Sequence, residues 1–494
     1  MAKQRCVLLA LCVVMLAPFA VAGAQSPPLG LNLAPCTEGH AKAPAECGTF
    51  GARENPALRS GRVIALRLVV LKAKHASHRA IAFIAGGPGE SAVVFAPILA
   101  DGLFARHIAK LRDSYDILFV DNRGMGGSNP SRCDFAPAAD PVAYFSQLWP
   151  DKLVTTCRDK YAAKSNLSLY NTDNAVDDLD GVRAALGYPK LVLNGGSYGT
   201  FFSLVYMRRH PERVESALLD GVAPPHFQPL PGAPDGAQTA LNDLIVKCRL
   251  DAICNNRFPF FGQHFNALVQ LLNRGPIAVK VWKSKDKSWQ TVPLSKEVFV
   301  DRVRDTLYDP ESAAYLPYIV ERASRADFVP LGKLIKVQST SMAQDVDQGA
   351  YLSYSCAEFM PFISPDELKA AAAHSFAGDL RVRAQRRSCS SWNVPPKPPS
   401  FNDPVESQAP VLMVSGSDDP ATPARYAAAA LRYLPNAKQV LVRGAGHATE
   451  TPCTDGLMVR FVRDRSAKGL NVSQCSAAFT PPRFATSMAG WPDI

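Results

Sequence analysis

Short apolar runs that stop at glycine or aspartate recur along the first half of the chain, and such runs are typical of buried parallel strands. They occupy residues 62–73, 81–84, 117–120, 191–194 and 214–219. Helices are predicted over 171–186, where apolar positions recur at helical spacing, and over 200–209. Strands that alternate with helices predict an α/β fold with a mostly parallel sheet that helices cover on both faces.

Proline-rich segments interrupt this alternation twice, first after Ala223 and again over 395–404. Helix-like segments lie between them and strand-like runs resume afterwards: 236–247, 296–307, 365–373, 410–414 and 439–442. Two stiff linkers that bracket a helical stretch are typical of an inserted domain. The chain is therefore predicted to have a first core portion over 25–222, a mainly helical cap over 223–406 and a second core portion over 407–494.

The first residues have the order of a secretory signal peptide, with Lys3 and Arg5 before an apolar run over 6–20 and small residues up to position 24. The alternative is a membrane anchor. It is disfavoured because the run is shorter than the ~20 residues that span a bilayer and contains Pro18. Residues 1–24 are thus expected to be removed from an exported protein without a stable membrane anchor.

Ten of the twelve cysteines follow the predicted signal peptide, an even number in an oxidising compartment. Pairing of sequence neighbours is the simplest connectivity: Cys36 with Cys47, Cys133 with Cys157, Cys248 with Cys254, Cys356 with Cys389 and Cys453 with Cys475. No C-x-x-C, H-E-x-x-H or cysteine–histidine cluster occurs, so neither a metal nor another cofactor is expected. The formal net charge of +10 is scattered along the chain, which argues against a nucleic-acid partner.

The run over 191–194 leads directly into the pattern Gly-Gly-Ser-Tyr-Gly at 195–199. A G-x-S-x-G pattern between a strand and a helix is typical of a nucleophile elbow, a turn that exposes a serine hydroxyl. Side chains at Gly195 and Gly199 would collide with the neighbouring strand and helix, and strain is expected at Ser197. Ser197 is therefore the candidate nucleophile.

A serine hydroxyl needs a base to take its proton, and a carboxylate should orient that base. Asp419 and His447 each follow a late strand-like run, and the C-terminal ends of parallel strands share one edge of the sheet. Asp418 and Asp220 are alternatives for the acid, of which Asp419 is favoured. The order Ser197, Asp419, His447 is the order of an α/β-hydrolase triad.

A tetrahedral oxyanion needs two backbone N–H donors, one from the residue after the nucleophile and one from a loop after an early strand. Tyr198 supplies the first. The early loop spans 85–91 and contains Gly86-Gly87-Pro88-Gly89, in which Gly87 is placed to supply the second. Pro88 has no N–H and stiffens the loop.

Together these segments resemble the serine aminopeptidases of the α/β-hydrolase fold, the group of prolyl iminopeptidases and secreted tripeptidyl aminopeptidases. The matching segments are residues 86–89, 121–128, 195–199, 419–423 and 446–447. The resemblance implies Ser197 as nucleophile, Asp419 as acid, His447 as base and Gly87 with Tyr198 as the oxyanion hole. It also implies a TAP-like C-terminal region and peptide substrates with a free N-terminus.

An aminopeptidase must bind a free α-ammonium group, and a desolvated cation requires a carboxylate partner. Glu358, next to Cys356 in the predicted cap, is the candidate, with an ordinary exposed glutamate as the alternative. For the segment at 121–128, the favoured interpretation is structural: the guanidinium of Arg123 satisfies buried carbonyl groups.

Three functions are compatible with these residues. The first is an exported serine peptidase that removes proline or short peptides from a free N-terminus. The second is an esterase or acyltransferase with the same catalytic residues, because one fold supports all these activities. The third is a binding protein that keeps the fold without the chemistry, although no triad residue is missing.

Overall fold

The structure is a computed structural model that describes residues 29–37, 44–75, 77–100, 106–135, 141–227, 234–283 and 286–492. The predicted signal peptide over 1–24 lies outside the described residues. Within the ranges described, no helix combines the length and the apolar character needed to cross a bilayer.

The main sheet contains nine strands. They are β1 (Gly30–Cys36), β2 (Ala45–Arg53), β3 (Val63–Leu71), β4 (Ala80–Ile84), β5 (Asp116–Val120), β6 (Leu191–Gly196), β7 (Val214–Asp220), β10 (Val411–Gly416) and β11 (Ala437–Val442). Their order across the sheet is β1-β2-β3-β5-β4-β6-β7-β10-β11. From β5 to β11 all neighbours are parallel, whereas β1, β2 and β3 are joined by antiparallel pairing. The predicted α/β fold with a mostly parallel sheet is confirmed.

Both faces of this sheet are buried, as the apolar runs indicate. On β3, Leu66, Leu68 and Val70 pack into one core cluster, whereas Val69 and Leu71 pack into another on the opposite face. This alternation follows from the two-residue period of a strand. The sheet is therefore the middle layer between two sets of helices.

Helices of the two core portions cover these faces: α1 (Phe95–Ala100), α2 (Arg106–Leu111), α5 (Thr172–Ala185), α6 (Tyr198–Arg209), α17 (Ala424–Ala430) and α18 (Pro452–Asp464). Two further helices, α3 (Pro141–Ser146) and α4 (Asp151–Ala162), instead pack into the hydrophobic cluster that contains the helices inserted between β7 and β10. Helices α5 and α6 contribute to the same cluster as Leu66, and α1, α2 and α18 contribute to the cluster of Val69. Helix α5 begins after Asn171, whose side chain accepts a hydrogen bond from the N–H of Asn174 and so caps the helix.

Between β7 and β10 the chain forms the cap, which consists of ten helices and one hairpin among the described residues. The helices are α7 (Pro234–Leu250), α8 (Ala252–Arg257), α9 (Phe261–Asn273), α10 (Lys296–Thr306), α11 (Pro310–Ala313), α12 (Leu316–Ser324), α13 (Val329–Asp345), α14 (Gln348–Glu358), α15 (Pro365–Ala372) and α16 (Leu380–Trp392). The hairpin joins β8 (Ile277–Lys283) to β9 (Ser288–Leu294) and was not predicted. Its signal is the alternation of Ile277, Val279 and Val281, which are buried, with exposed neighbours.

The five disulfides join the cysteines that neighbour one another in the sequence, as expected. Cys36–Cys47 joins the two outermost strands at one edge of the sheet, and Cys356–Cys389 joins two helices of the cap. Each bridge closes a short loop, which restricts the unfolded chain and stabilises the fold.

The structural interpretation of Arg123 is confirmed. Its guanidinium is fully buried and donates to the carbonyl oxygens of Glu54 (2.7 Å) and Leu169 (3.0 Å). It also forms a two-pronged ion pair with Asp178 at 2.7 and 2.8 Å. Arg123, which follows β5, therefore joins the end of β2 to Asp178 in α5. Its role is structural.

We expect the change Arg123→Met to lower the free energy of unfolding by about 3–5 kcal/mol, because it leaves the buried carboxylate of Asp178 without its cation. Denaturant unfolding followed by circular dichroism would measure the shift. Arg59→Met, at an exposed position, is the control and should stay within about 0.5 kcal/mol of the wild type. Equal stability of the two variants would contradict this role.

Candidate active site

The turn between β6 and α6 has no room for side chains at its two flanking glycines. A methyl group on Gly195 would overlap the carbonyl oxygen of Gly199, and one on Gly199 would overlap the carbonyl oxygen of Ile84. The expected collision is therefore confirmed, because backbone atoms of the helix lie against Gly195 and backbone atoms of the neighbouring strand lie against Gly199. Only glycine permits this packing at either position.

Ser197 lies at the apex of this turn with φ 54° and ψ −122°, outside the regions that residues with a side chain prefer. Its N–H donates to the carbonyl oxygen of Asp220 at 2.9 Å, which holds the turn against the neighbouring strand β7. The residue is only partly buried and lines a cavity. A strained backbone held by its surroundings is typical of a functional position.

Asp419 and His447 form a fixed pair past the ends of β10 and β11. The side chain of Asp419 is fully buried, and its Oδ2 lies 2.9 Å from Nδ1 of His447. Oδ1 accepts from the N–H groups of Ala421 (2.8 Å) and Thr422 (2.9 Å), and Oδ2 accepts from the hydroxyl of Thr422 (2.6 Å). A carboxylate at Nδ1 favours the tautomer that leaves Nε2 able to accept a proton.

The two alternative acids have other partners. Asp418 forms an ion pair with Lys247 and accepts from the hydroxyl of Ser417 at 2.7 Å. Asp220 accepts from the hydroxyl of Thr449 at 2.8 and 2.7 Å. Neither contacts the imidazole of His447 in the way Asp419 does.

The cap holds the loop that carries His447. The N–H of His447 donates to the carbonyl oxygen of Tyr308 at 2.8 Å, and the two rings meet edge to face with centroids 4.8 Å apart. A methyl group on Gly446 would overlap that same carbonyl oxygen. Glycine before the histidine is thus required by the close approach of the cap, a reason the sequence did not reveal.

Ser197 and His447 line one cavity, although their side chains form no direct hydrogen bond in the part of the chain described. Such bonds are often long in an unliganded site and shorten when substrate binds. The structure thus brings the candidate nucleophile and the candidate base to one cavity and joins His447 to Asp419.

The charges of these groups differ because their partners differ. Burial by itself lowers the pKa of His447, but the Asp419 carboxylate more than offsets this, so the pKa of the imidazole is raised. Burial raises the pKa of Asp419, but His447 and Thr422 outweigh it, and the net pKa is lowered. For Asp220, burial and, after it, the neighbouring carboxylate of Glu450 raise the pKa well above its ordinary value.

The loop after β4 lies beside Ser197, as the predicted oxyanion hole requires. Gly87, with φ 100°, and Tyr198 both line the cavity. The N–H of Gly86 donates to Oε2 of Glu90 at 3.0 Å and is therefore occupied. The N–H of Tyr198 begins helix α6, where backbone donors have no partner within the helix.

Glu358 does not line the cavity. Its carboxylate is fully buried and accepts from the N–H and hydroxyl of Thr172 at 2.5 and 2.6 Å, and that hydroxyl also bonds to the phenol of Tyr198 at 2.8 Å. Burial raises the pKa of Glu358 to about 8. The candidate from the sequence is thus engaged in holding α5 and the ring of Tyr198, away from any substrate.

The cavity has a volume of about 520 Å³ and walls from both the core and the cap. Aromatic side chains form much of its lining: Phe83, Phe95, Phe201, Tyr308, Tyr351 and Phe359. Charged side chains also line it, Glu90 from the core and five from the cap: Asp305, Asp309, Asp345, Arg304 and Arg381. Apolar walls with a few convergent charges are typical of a ligand site.

Two family models match the chain, one described as alpha/beta hydrolase fold over residues 79–290 and one described as TAP-like protein over residues 374–475. "Serine protease Hip1" of Mycobacterium tuberculosis is 26% identical over 76% of this chain and 76% of its own length. "Carboxylesterase B" of the same species is 26% identical over 77% of this chain and 76% of its own length. "Tripeptidyl aminopeptidase" of Streptomyces coelicolor is 31% identical over 42% of this chain and 40% of its own length.

We expect Asp419→Asn to lower kcat for an activated ester by roughly 10⁴-fold, because an amide neither fixes the tautomer of His447 nor stabilises its charged form. Asp220→Asn should lower kcat by less than about tenfold, since Asp220 accepts from the hydroxyl of Thr449 and the imidazole of His447 is held by Asp419. Steady-state kinetics of the two variants provide the comparison. If Asp220→Asn lowered kcat more than Asp419→Asn does, Asp220 rather than Asp419 would be the acid of the triad.

The raised pKa of His447 predicts the pH dependence of turnover. A general base must be neutral, so kcat/KM should fall as pH decreases through a midpoint above the ordinary histidine value of about 6.5. A pH–rate profile of the wild type measures this midpoint. A profile that stays flat to well below that value would exclude His447 as the base.

Proposed function

We propose that this chain, which belongs to the α/β-hydrolases with a TAP-like C-terminal region, is an exported exopeptidase that removes proline or short peptides from free N-termini. That it is a serine hydrolase follows from its family and from relatives named as serine protease and tripeptidyl aminopeptidase. The observation that carries the proposal is that Ser197 and His447, the latter paired with Asp419, line one cavity that residues of the cap also line.

Acylation begins when the hydroxyl of Ser197 attacks the scissile carbonyl carbon and its proton passes to Nε2 of His447. Asp419 remains ionised and stabilises the imidazolium through Nδ1. The N–H groups of Gly87 and Tyr198 donate to the negative oxygen of the tetrahedral intermediate. His447 then protonates the departing amine, the C–N bond breaks, and the N-terminal fragment stays as an ester on Ser197.

Deacylation repeats these steps with water. His447 removes a proton from the water, the resulting hydroxide attacks the ester carbonyl, and the proton returns to the oxygen of Ser197 as the ester bond breaks. The same two backbone donors stabilise the second oxyanion. The products are a free acid and the restored enzyme, and no step requires a cofactor.

The cap supports action at chain ends rather than within chains. Tyr308 of the cap lies against the ring of His447, and Val346 of the cap pairs with Glu90 as an antiparallel bridge beside the nucleophile. A cap that contacts both of these loops covers part of the cavity, which supports binding of a chain end rather than of a continuous chain.

The second candidate is an esterase, and two observations favour it. A relative over most of the chain is named carboxylesterase, and the aromatic walls of the cavity suit an uncharged acyl group. The catalytic steps are identical, so only the substrate distinguishes the two proposals.

Export is supported by the five disulfides, because such bonds persist in oxidising compartments. Cell fractionation tests this part of the proposal. Recovery of a disulfide-free, uncleaved chain from the cytoplasm would oppose it.

The change Ser197→Ala should lower kcat by roughly 10⁴–10⁶-fold, because the acyl-enzyme can no longer form. Ser400→Ala, at an exposed position, is the matched control and should retain the wild-type rate. The substrates are an aminoacyl arylamide, its N-acetyl form and an uncharged acyl ester. If acetylation leaves the rate unchanged while the ester is turned over faster, the esterase candidate replaces the aminopeptidase; full turnover by Ser197→Ala excludes both.

A further inference from the structure

We infer that the carboxylate of Glu90 binds the α-ammonium group of the substrate and thereby limits release to one N-terminal residue. This inference rests on the proposed function and deepens it by assigning the ammonium site and the length of the released product.

Glu90 lies beside the candidate nucleophile. A methyl group on Gly86 would be 3.0 Å from Oε2 of Glu90 and 3.4 Å from Cβ of Ser197. The carboxylate and the nucleophile therefore flank a single methyl-sized position, and both line the cavity. A substrate atom close to the scissile bond is thus also close to this carboxylate.

The carboxylate has an acceptor left for a ligand. Oε2 accepts from the N–H of Gly86, while Oε1 accepts no hydrogen bond and neither oxygen forms an ion pair with lysine or arginine across the residues described. A partly desolvated carboxylate without a cation is costly, and an incoming ammonium group removes that cost.

Contacts from two sides fix the position of Glu90. On the core side, its own hydrogen bond from Gly86 orients the side chain toward Ser197. On the cap side, the carbonyl oxygen of Gly89 accepts from the N–H of Asp347 at 2.9 Å, and Glu90 pairs with Val346. A carboxylate held in this way binds the substrate's ammonium group at a fixed distance from Ser197.

The distance to Ser197 determines the length of the product. In a one-residue acyl group the ammonium nitrogen is about 2.5 Å from the scissile carbonyl carbon, as the N–Cα and Cα–C bonds dictate. Each additional extended residue moves it away by about 3.3–3.6 Å, so a tripeptide places it roughly 7 Å further. A carboxylate that shares a methyl-sized position with the nucleophile matches the one-residue case.

The same carboxylate disfavours substrates that lack the ammonium group. Glu90 lies in the loop that carries Gly87, so its negative charge is close to the developing oxyanion and repels it. A bound ammonium group neutralises this charge, whereas an acetylated amine leaves it in place. Selectivity then has an attractive and a repulsive component.

The test compares kcat/KM for an aminoacyl arylamide, its N-acetyl form and a tripeptidyl arylamide. The proteins are the wild type, Glu90→Gln and, as the matched control at an exposed glutamate, Glu212→Gln. Glutamine keeps the acceptor for Gly86 but removes the charge. We expect Glu90→Gln to lose roughly 10- to 100-fold on the free aminoacyl substrate and to equal or exceed the wild type on the acetylated one.

The outcomes separate this inference from the proposed function. A wild type that cleaves free and acetylated substrates equally overturns the proposed function. A wild type that discriminates while Glu90→Gln discriminates equally well overturns the inference alone, and so does a wild type that prefers the tripeptidyl substrate. Labelling of Ser197 by a serine-directed phosphonate checks that each variant is folded. If Glu90→Gln is not recovered as a folded protein, the ratio of kcat/KM for the free and the N-acetyl substrate is measured on Glu90→Asp instead. This variant keeps the charge on a shorter side chain, so its ratio should lie below that of the wild type but above one.

Discussion

Three segments of backbone meet at the elbow without intervening side chains, and the arrangement of the site depends on this contact. Gly195 at the end of β6, Gly199 in the first turn of α6 and the carbonyl oxygen of Ile84 at the end of β4 leave no room for a methyl group. Because β4 and β6 are neighbours in the sheet, the contact brings the loop at 86–90 beside Ser197. Ser197, the candidate oxyanion donors and Glu90 are therefore positioned by one packing constraint.

The cap belongs to the site as much as the sheet does. It supplies the carbonyl oxygen of Tyr308 that accepts from the N–H of His447, and it supplies Val346, which pairs with Glu90. The loop that carries His447 follows β11, and the loop at 86–90 follows β4, so the two loops start from different strands. Each of them is also held by a contact with the cap. A cap bound to both makes the distance between base and nucleophile depend on how the insert packs against the core.

Four carboxylates around the site, of which Asp419 and Glu358 are fully buried and Asp220 and Glu90 partly buried, differ in the direction of their pKa shift because their partners differ. Asp419 faces an imidazole and has a lowered pKa, so it is ionised. Asp220 and Glu358 accept from threonine hydroxyl groups, which compensate burial less well, and their pKa values are raised. Burial also raises the pKa of Glu90, whose neighbours include His447 but no lysine or arginine in an ion pair within the described part of the chain. The partners of each carboxylate therefore set whether its pKa lies above or below the ordinary value.

Local signals in the sequence were sufficient for the α/β fold, the elbow at Ser197 and the structural role of Arg123, and they favoured the five cysteine pairs without proving them. Each of these follows from short-range periodicity, from backbone constraints at glycine or from neighbours in the chain. The sequence favoured Asp419 over Asp418 and Asp220 without excluding either, and it selected Glu358 where the structure places a carboxylate engaged with Thr172. It also gave no sign of Tyr308 or of the orientation of Glu90. Those features depend on where side chains point past the strand ends and on how the cap packs against the core, which only contacts between residues far apart in the chain decide.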